Sequence, residues 1–165
     1  MRRKRRISSL LAAVVVLVLL LGSCIKKEDF AAIEQRNIDD FIANNPTLLF
    51  TQKESGLYYY EAVAGTGDAL RAHDTVYVVY TGKFLNGSIF DTNVGGDTLS
   101  FPVGENEWVI PGFDEGVSYM KKGSKSIFII PSSLAYGPTG YMYISGYTPL
   151  LFEVTLGRIV KGPGK

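Results

Sequence analysis

Val109-Ile110-Pro111-Gly112-Phe113-Asp114-Glu115-Gly116-Val117-Ser118-Tyr119-Met120 is the stretch on which the fold turns, because its periodicity changes in the middle. Proline forces Ile110 away from the α region, so Val109-Ile110 reads as the end of an extended segment. Gly112 then permits a sharp change of direction, and a helix starts. Phe113, Val117 and Met120 fall at i, i+4 and i+7 on one apolar face. Asp114 and Glu115 occupy the first turn, Lys121 and Lys122 complement the last, and Gly123 supplies a C′ residue. A helix of about ten residues is marginal alone in water. It needs a sheet to lie against.

The rest of the chain supplies that sheet. Residues 56–63 and 75–81 are rich in β-branched and aromatic side chains, with a turn at Gly65-Thr66-Gly67-Asp68 between them. Asn86-Gly87, set between Lys83-Phe84-Leu85 and Ser88-Ile89-Phe90, predicts a two-residue hairpin turn. Strands are expected at 98–103, at 124–130 where Pro131 stops it, and at 150–160, where Leu150, Phe152, Val154 and Leu156 share a face. A turn-rich loop, 131–149, separates the last two, and a loop of that length in a compact domain is usually functional. Period-two strands around one lone helix predict an α+β fold, a mainly antiparallel sheet covering a helix.

Ahead of the sheet, Phe30, Ile33, Ile38, Phe41 and Ile42 approximate one stripe of a helix over 30–44, with Glu34, Gln35, Arg36, Asp39 and Asp40 mostly elsewhere; Asn45-Pro46 stops it. Such a helix packs on its own domain or spaces the domain from a membrane, with partner docking as the alternative. The first 23 residues carry a different signal. Arg2, Arg3, Lys4, Arg5 and Arg6 precede an apolar run, Ile7 to Leu21, that is short for a membrane span and fits a signal-peptide core. Leu21-Gly22-Ser23-Cys24 resembles a bacterial lipobox, which implies cleavage before Cys24, a lipid on its sulfur, and a cell-envelope protein held at a membrane, the outer one expected. Cys24 is the sole cysteine. Lys27-Glu28-Asp29 reads as a solvated linker, or as similar to lipoprotein surface-export signals. The expected organisation is a signal peptide at 1–23, a linker and helix at 24–54, one domain at 55–161 and a frayed tail at 162–165.

Charge and chemistry narrow the function. Without residues 1–23 the chain holds 12 basic against 16 acidic residues, a net charge of −4, which disfavours nucleic acid as a partner. His73 is the sole histidine and the domain has no cysteine, so a His/Cys metal site is out of reach. Gly65-x-Gly67 lacks the strand and helix context of a phosphate loop. No serine sits in a nucleophile elbow, and adjacent Asp114 and Glu115 fall on different azimuths. Covalent and acid-base catalysis find no support.

Six ordered segments, Val79-Tyr80-Thr81-Gly82, Asn86 to Asp91, Phe101-Pro102-Val103-Gly104, Val109 to Gly116, Ala135-Tyr136-Gly137 and Leu150 to Val154, together resemble the FKBP-type peptidyl-prolyl isomerases over about residues 57–160. With its lipobox and helical extension, the chain is similar to lipoprotein members of that family from Bacteroidetes. The resemblance implies five or six antiparallel strands wrapped around the helix, and a pocket between sheet and helix. It assigns catalytic roles to Tyr80, Asp91, Ile110 and Tyr136. It assigns substrate binding to Phe90, Leu99, Phe101, Val109, Phe113, Tyr141, Ile144 and Phe152, with Phe113 in place of the usual floor tryptophan. Trp108 lies in a loop one residue longer than in small members, and Ile144-Ser145-Gly146 replaces an Ile-Pro-Pro run, which predicts a looser rim.

The implied activity is rotation of X-Pro bonds in exported or envelope proteins, without cofactor or metal, by a monomer whose partners are proline-containing polypeptides and, through Cys24, a membrane. The alternative is a weak or inactive member that uses the same cleft as a binding module or chaperone.

Overall fold

The computed structural model describes residues 29–105 and 107–163. In order these form α1 (Phe30–Asn44), β1 (Thr51–Gln52), β2 (Tyr58–Val63), β3 (Thr75–Phe84), β4 (Ile89–Thr92), β5 (Leu99–Pro102), α2 (Pro111–Ser118), β6 (Lys125–Ile130), a 3-10 turn (Ser132–Leu134) and β7 (Leu150–Val160). The sheet is antiparallel with order β1-β2-β6-β7-β3-β4. Among the described residues seven strands are present rather than the five or six expected, because β4 pairs with Thr81–Lys83 and β5 with Thr75–Val78 along the same edge of β3. Two-residue β1 had no signal of its own. The lone-helix expectation for the domain holds.

Alternation sets the layers. Leu150, Phe152, Val154 and Leu156 of β7 face one way with Phe128 and Ile130 of β6 and Val76 and Val78 of β3, and α2 lies on them through Phe113, Val117 and Met120. The other face carries Tyr58, Ile129 and Leu151, covered by Ile38 of α1. Asp29 caps α1 by accepting the Ala32 N–H at 3.2 Å. Glu34, expected on the polar side of α1, is 9% exposed, and its carboxylate accepts the Ser132 N–H at 2.5 Å and the Ser132 hydroxyl at 2.7 Å. The helix is thereby clamped to the start of the 131–149 loop.

The opening helix is shorter than its sequence suggests. It ends at Ser118 with Tyr119 as cap, so Lys121 and Lys122 lie beyond its last turn and Glu115 beyond its first. The cause is a competing set of partners: the Lys122 carbonyl accepts the Thr66 N–H at 2.9 Å, and the Lys121 carbonyl accepts the Ser124 hydroxyl at 2.8 Å. Gly112 also does something other than turn the chain. A Cβ there would strike Ile130 Cγ2, and one at Gly116 would sit 2.7 Å from the Phe128 ring. The two glycines, four apart, let α2 lie directly on β6.

At the hairpin, Gly87 has φ 89° while Asn86 does not adopt positive φ, so the two-residue turn with both central residues left-handed is excluded. Phe84 N–H instead donates to Ser88 O at 2.9 Å, and Gly87 N–H to Phe84 O at 2.9 Å, a wider turn with glycine at its left-handed position.

The far end of β3 is fastened by Asp74, which accepts the Gly162 N–H at 2.9 Å, the Arg71 N–H at 3.0 Å and the Lys161 ammonium at 3.0 Å. Gly162, expected in a frayed tail, is thus held. The Gly162 bond, with the Arg71 and Lys161 interactions, outweighs burial and lowers the Asp74 pKa from 3.8 to about 2. Between those values the unfolded chain binds the extra proton, so this contribution is complete above about pH 4 and is lost as pH falls toward 2. Asp74→Asn should flatten the decline in urea-unfolding midpoint across that window; an unaltered pH profile would refute the assignment.

Among the described residues no helix is long and apolar enough to cross a membrane. Ile7 to Leu21, the lipobox and Cys24 lie outside them.

Candidate active site

The Val109-Ile110 segment arrives at α2 in extended conformation, Ile110 with φ −61° and ψ 144°, and Pro111 starts the helix. This leaves Val109 and Ile110 along one side of a pocket of about 200 Å³ between α2 and the sheet. Its size suits one small ring, below the roughly 300–1,000 Å³ typical of drug-sized sites. Phe113 is the floor. Its ring lies 5.0 Å from that of Phe152, 5.6 Å from Tyr80, 5.9 Å from Phe101 and 6.2 Å from Phe128, mostly edge to face. Phe90 continues the wall, 5.5 Å from Phe152, and Gly82 makes room for it: a Cβ there would lie 2.7 Å from the Phe90 ring.

Polar groups are few and placed at the mouth. The Tyr80 hydroxyl donates to Asp91 Oδ2 at 2.6 Å across the β3–β4 pair. Burial, then the bond to Asp91 and its charge, raises the Tyr80 pKa far above its ordinary value, so the phenol stays protonated and donating. Asn93 holds the chain that carries Asp91, accepting the Tyr80 N–H at 2.7 Å and donating to Val78 O at 3.0 Å. Burial also raises the Tyr136 pKa, with neighbouring Tyr141 adding to it. Two donors at the pocket have no acceptor within the described residues: the Ile110 N–H and the Tyr136 hydroxyl.

Leu99 and Trp108 complete the lining. Trp108, 67% exposed, was outside the residues expected to touch substrate; its signal was the longer loop. Three expected binding residues do not line the pocket. Phe101 is 2% exposed and packs behind Phe113, Ile144 is 6% exposed in the core beneath the loop, and Tyr141 stacks on the outer side of Tyr136 at 5.2 Å. Phe101 and Ile144 support the walls from behind, since the inward face of a strand or loop feeds the core as readily as a cavity, whereas Tyr141 is exposed. Hydrogen bonds tie the rim where the prolines are replaced. Tyr141 and Ile144 exchange backbone bonds of 2.9 and 2.8 Å, Tyr147 N–H donates to Gly137 O at 3.0 Å, and the Tyr143 hydroxyl donates to Phe90 O at 2.7 Å. A Cβ at Gly146 would collide with the Pro138 carbonyl, so this backbone path excludes proline there as it does any other side chain.

Other candidate chemistry is remote or structural. His73 has φ 69° and faces Glu105 at 3.0 Å near Asp74, outside the pocket lining. Buried Asp114 accepts the Gly104 N–H with both oxygens, at 2.9 and 3.0 Å, and so ties the loop bearing Trp108 to α2. Glu115 accepts from Ser55 at 2.8 Å and from Tyr119 at 2.9 Å. Among the described residues, no three His, Cys, Asp or Glu side chains gather as a metal site.

Residues 67–157 match the FKBP-type peptidyl-prolyl cis-trans isomerase family. Among curated relatives, the FKBP-type isomerase FkpA of Aeromonas hydrophila is 40% identical over 138 residues, 82% of this chain and 50% of the relative. FkpA of Escherichia coli K12 is 39% identical over 110 residues, 66% of this chain and 40% of its own length. The chain thus spans about half or less of these relatives. The crystal structure of Escherichia coli FkpA superimposes with a TM-score of 0.70 at 31% identity, covering 96% of this chain and 74% of that one. A Pseudomonas syringae isomerase structure gives 0.67 at 28% identity, over 85% of this chain and 100% of the other. With the family's segments on the strands and helix just described, and its match extending over more than half of the sequence, the chain belongs to the FKBP-type peptidyl-prolyl cis-trans isomerases.

Proposed function

We propose that the protein accelerates cis-trans rotation of X-Pro bonds in exported or envelope polypeptides. The observation that carries this reading is the pairing of an aromatic-floored pocket with two unengaged donors, the Ile110 N–H and the Tyr136 hydroxyl. Rotation breaks no covalent bond and has only to cross an amide resonance barrier of about 18–20 kcal/mol. The proline ring enters over Phe113, between Phe152, Tyr80 and Val109. Removing water from the imide disfavours its dipolar planar form relative to the twisted one, and the free donors hold substrate carbonyls in the twisted geometry. Tyr80 keeps Asp91 in one orientation, so a carbonyl oxygen is turned from the carboxylate toward those donors. Supplying about 4–7 kcal/mol to the twisted state corresponds to roughly 10³–10⁵ in rate.

The test is the cis-to-trans rate of a short X-Pro peptide with the soluble chain from Lys26. Clear acceleration is expected, and Tyr136→Phe should lower kcat/KM about three- to tenfold, the loss of one net hydrogen bond of about 0.5–1.5 kcal/mol. No acceleration by the unmutated protein would overturn the reading in favour of binding without catalysis.

The protein acts as a monomer at the cell envelope, held in a membrane, the outer one, by lipid on Cys24. Support comes from the basic start, apolar run and lipobox of residues 2–24. Cys24→Ala should move the protein from the membrane to the soluble fraction of the producing cell; unchanged fractionation would refute the anchor.

A further inference from the structure

A concavity larger than the pocket lies elsewhere on the described residues. A groove of about 850 Å³ runs between the C-terminal half of α1 and the β3–β4 turn, closed at one end by the 143–149 segment. Its walls mix aromatic rings, Phe41, Phe84 and Tyr147, with carboxamides, Asn37, Asn44 and Asn86, and Asp40 is its one charged residue. Aromatic bodies interspersed with uncharged hydrogen-bonding groups are the composition of surfaces that hold varied polypeptide, since rings supply area at low entropic cost and amides pair with a peptide backbone. A stable protein partner would instead call for a dry apolar centre.

The groove and the pocket share no lining residue but lie on either side of one run of packed rings. Phe84, on the groove side, lies 5.2 Å from Phe90, and Phe90 lies 5.5 Å from Phe152 inside the pocket. Tyr143 lines the groove while its hydroxyl holds the Phe90 carbonyl. An extended chain advances about 3.3–3.6 Å per residue, so two such ring spacings are crossed in roughly three residues.

Accepting the isomerase reading, we propose that this groove is a second subsite, which holds the extended segment of an unfolded polypeptide beginning about three residues from the proline seated over Phe113. Substrates long enough to fill both sites gain affinity by joining two weak contacts on one strand. A tetrapeptide fills only the pocket.

The experiment compares an X-Pro tetrapeptide with an unfolded 20-residue peptide carrying one central proline and flanking aromatic residues, using the chain from Lys26 and its Asn37→Trp variant. Asn37 is exposed on α1, outside the pocket, and an indole there occupies the groove. The long peptide should show at least fivefold lower KM than the tetrapeptide with the unmutated protein. Asn37→Trp should remove that advantage while leaving tetrapeptide kcat/KM within twofold. Equal KM for the two peptides, or an advantage that survives Asn37→Trp, overturns the subsite. Fluorescence anisotropy of the labelled long peptide tests binding independently of turnover: if neither peptide is turned over, the isomerase reading falls, while a fivefold loss of affinity in Asn37→Trp still upholds the groove as a polypeptide site. Concentration-dependent dimerisation in sedimentation that Asn37→Trp abolishes would assign the groove to a second copy and overturn the proposal.

Discussion

Phe113→Ala is expected to lower kcat/KM for an X-Pro peptide by at least about tenfold and stability by about 3–5 kcal/mol. Both losses come from one ring. It is 2% exposed and touches the rings of Tyr80, Phe101, Phe128 and Phe152, so alanine opens a void at the centre of the main core. The same ring is the floor of the pocket, and its removal lets water beneath a bound proline, restoring the solvation that favours the planar imide. Urea unfolding reads the first effect and the peptide assay, at a temperature where the variant is folded, reads the second. Phe113→Leu, which keeps much of the volume, provides a better-folded comparison. A variant destabilised as expected yet fully active would remove Phe113 from the site and leave it as core.

Gly112→Ala is expected to lower stability by about 1–3 kcal/mol, although alanine is the better helix former by about 1 kcal/mol. Its Cβ would meet Ile130 Cγ2 and stand 3.1 Å from Leu134 Cβ, neither at the end of a long flexible side chain. Relief requires α2 to lift from β6, carrying Ile110 and Phe113 with it, so turnover should fall as well. Ile130→Ala deletes the obstructing methyl group, and in a double-mutant cycle the pair should cost less than the sum of the single changes. Strict additivity would show that the approach of α2 to β6 is not what requires glycine.

Much of this arrangement was legible in the residues. Leu150, Phe152, Val154 and Leu156 of β7 alternate onto the core face, Asn86-Gly87 marked the hairpin region, and the ordered segments placed Tyr80, Asp91, Ile110, Phe113 and Tyr136 around one cavity. What escaped depends on partners distant in the chain. Nothing local says that Glu34 will be buried, because its acceptor role is defined by Ser132, 98 residues away. Gly112 reads as a turn residue until Ile130 is seen against it. Phe101, Ile144 and Tyr141 have the right residue types for a binding wall, but periodicity reports which way a side chain points and not whether a cavity or another ring waits there. Asn93 was overlooked, and Trp108 noted without a role, for the opposite reason, since they sit in loops where no period exists.

The two glycines of α2 bear finally on what holds the pocket floor in place. An eight-residue helix with glycine at two positions does not hold together in water before it has a surface to rest on. That surface is the β6–β7 pair, and β7 in turn pairs with β3 through contacts such as Tyr80 with Val154, which close a long loop. The floor of the pocket therefore depends for its stability on strands that pair across long stretches of chain. Without the joined strands α2 has no surface to hold Phe113 at the pocket floor, so the site is only as stable as the pairing of β6, β7 and β3.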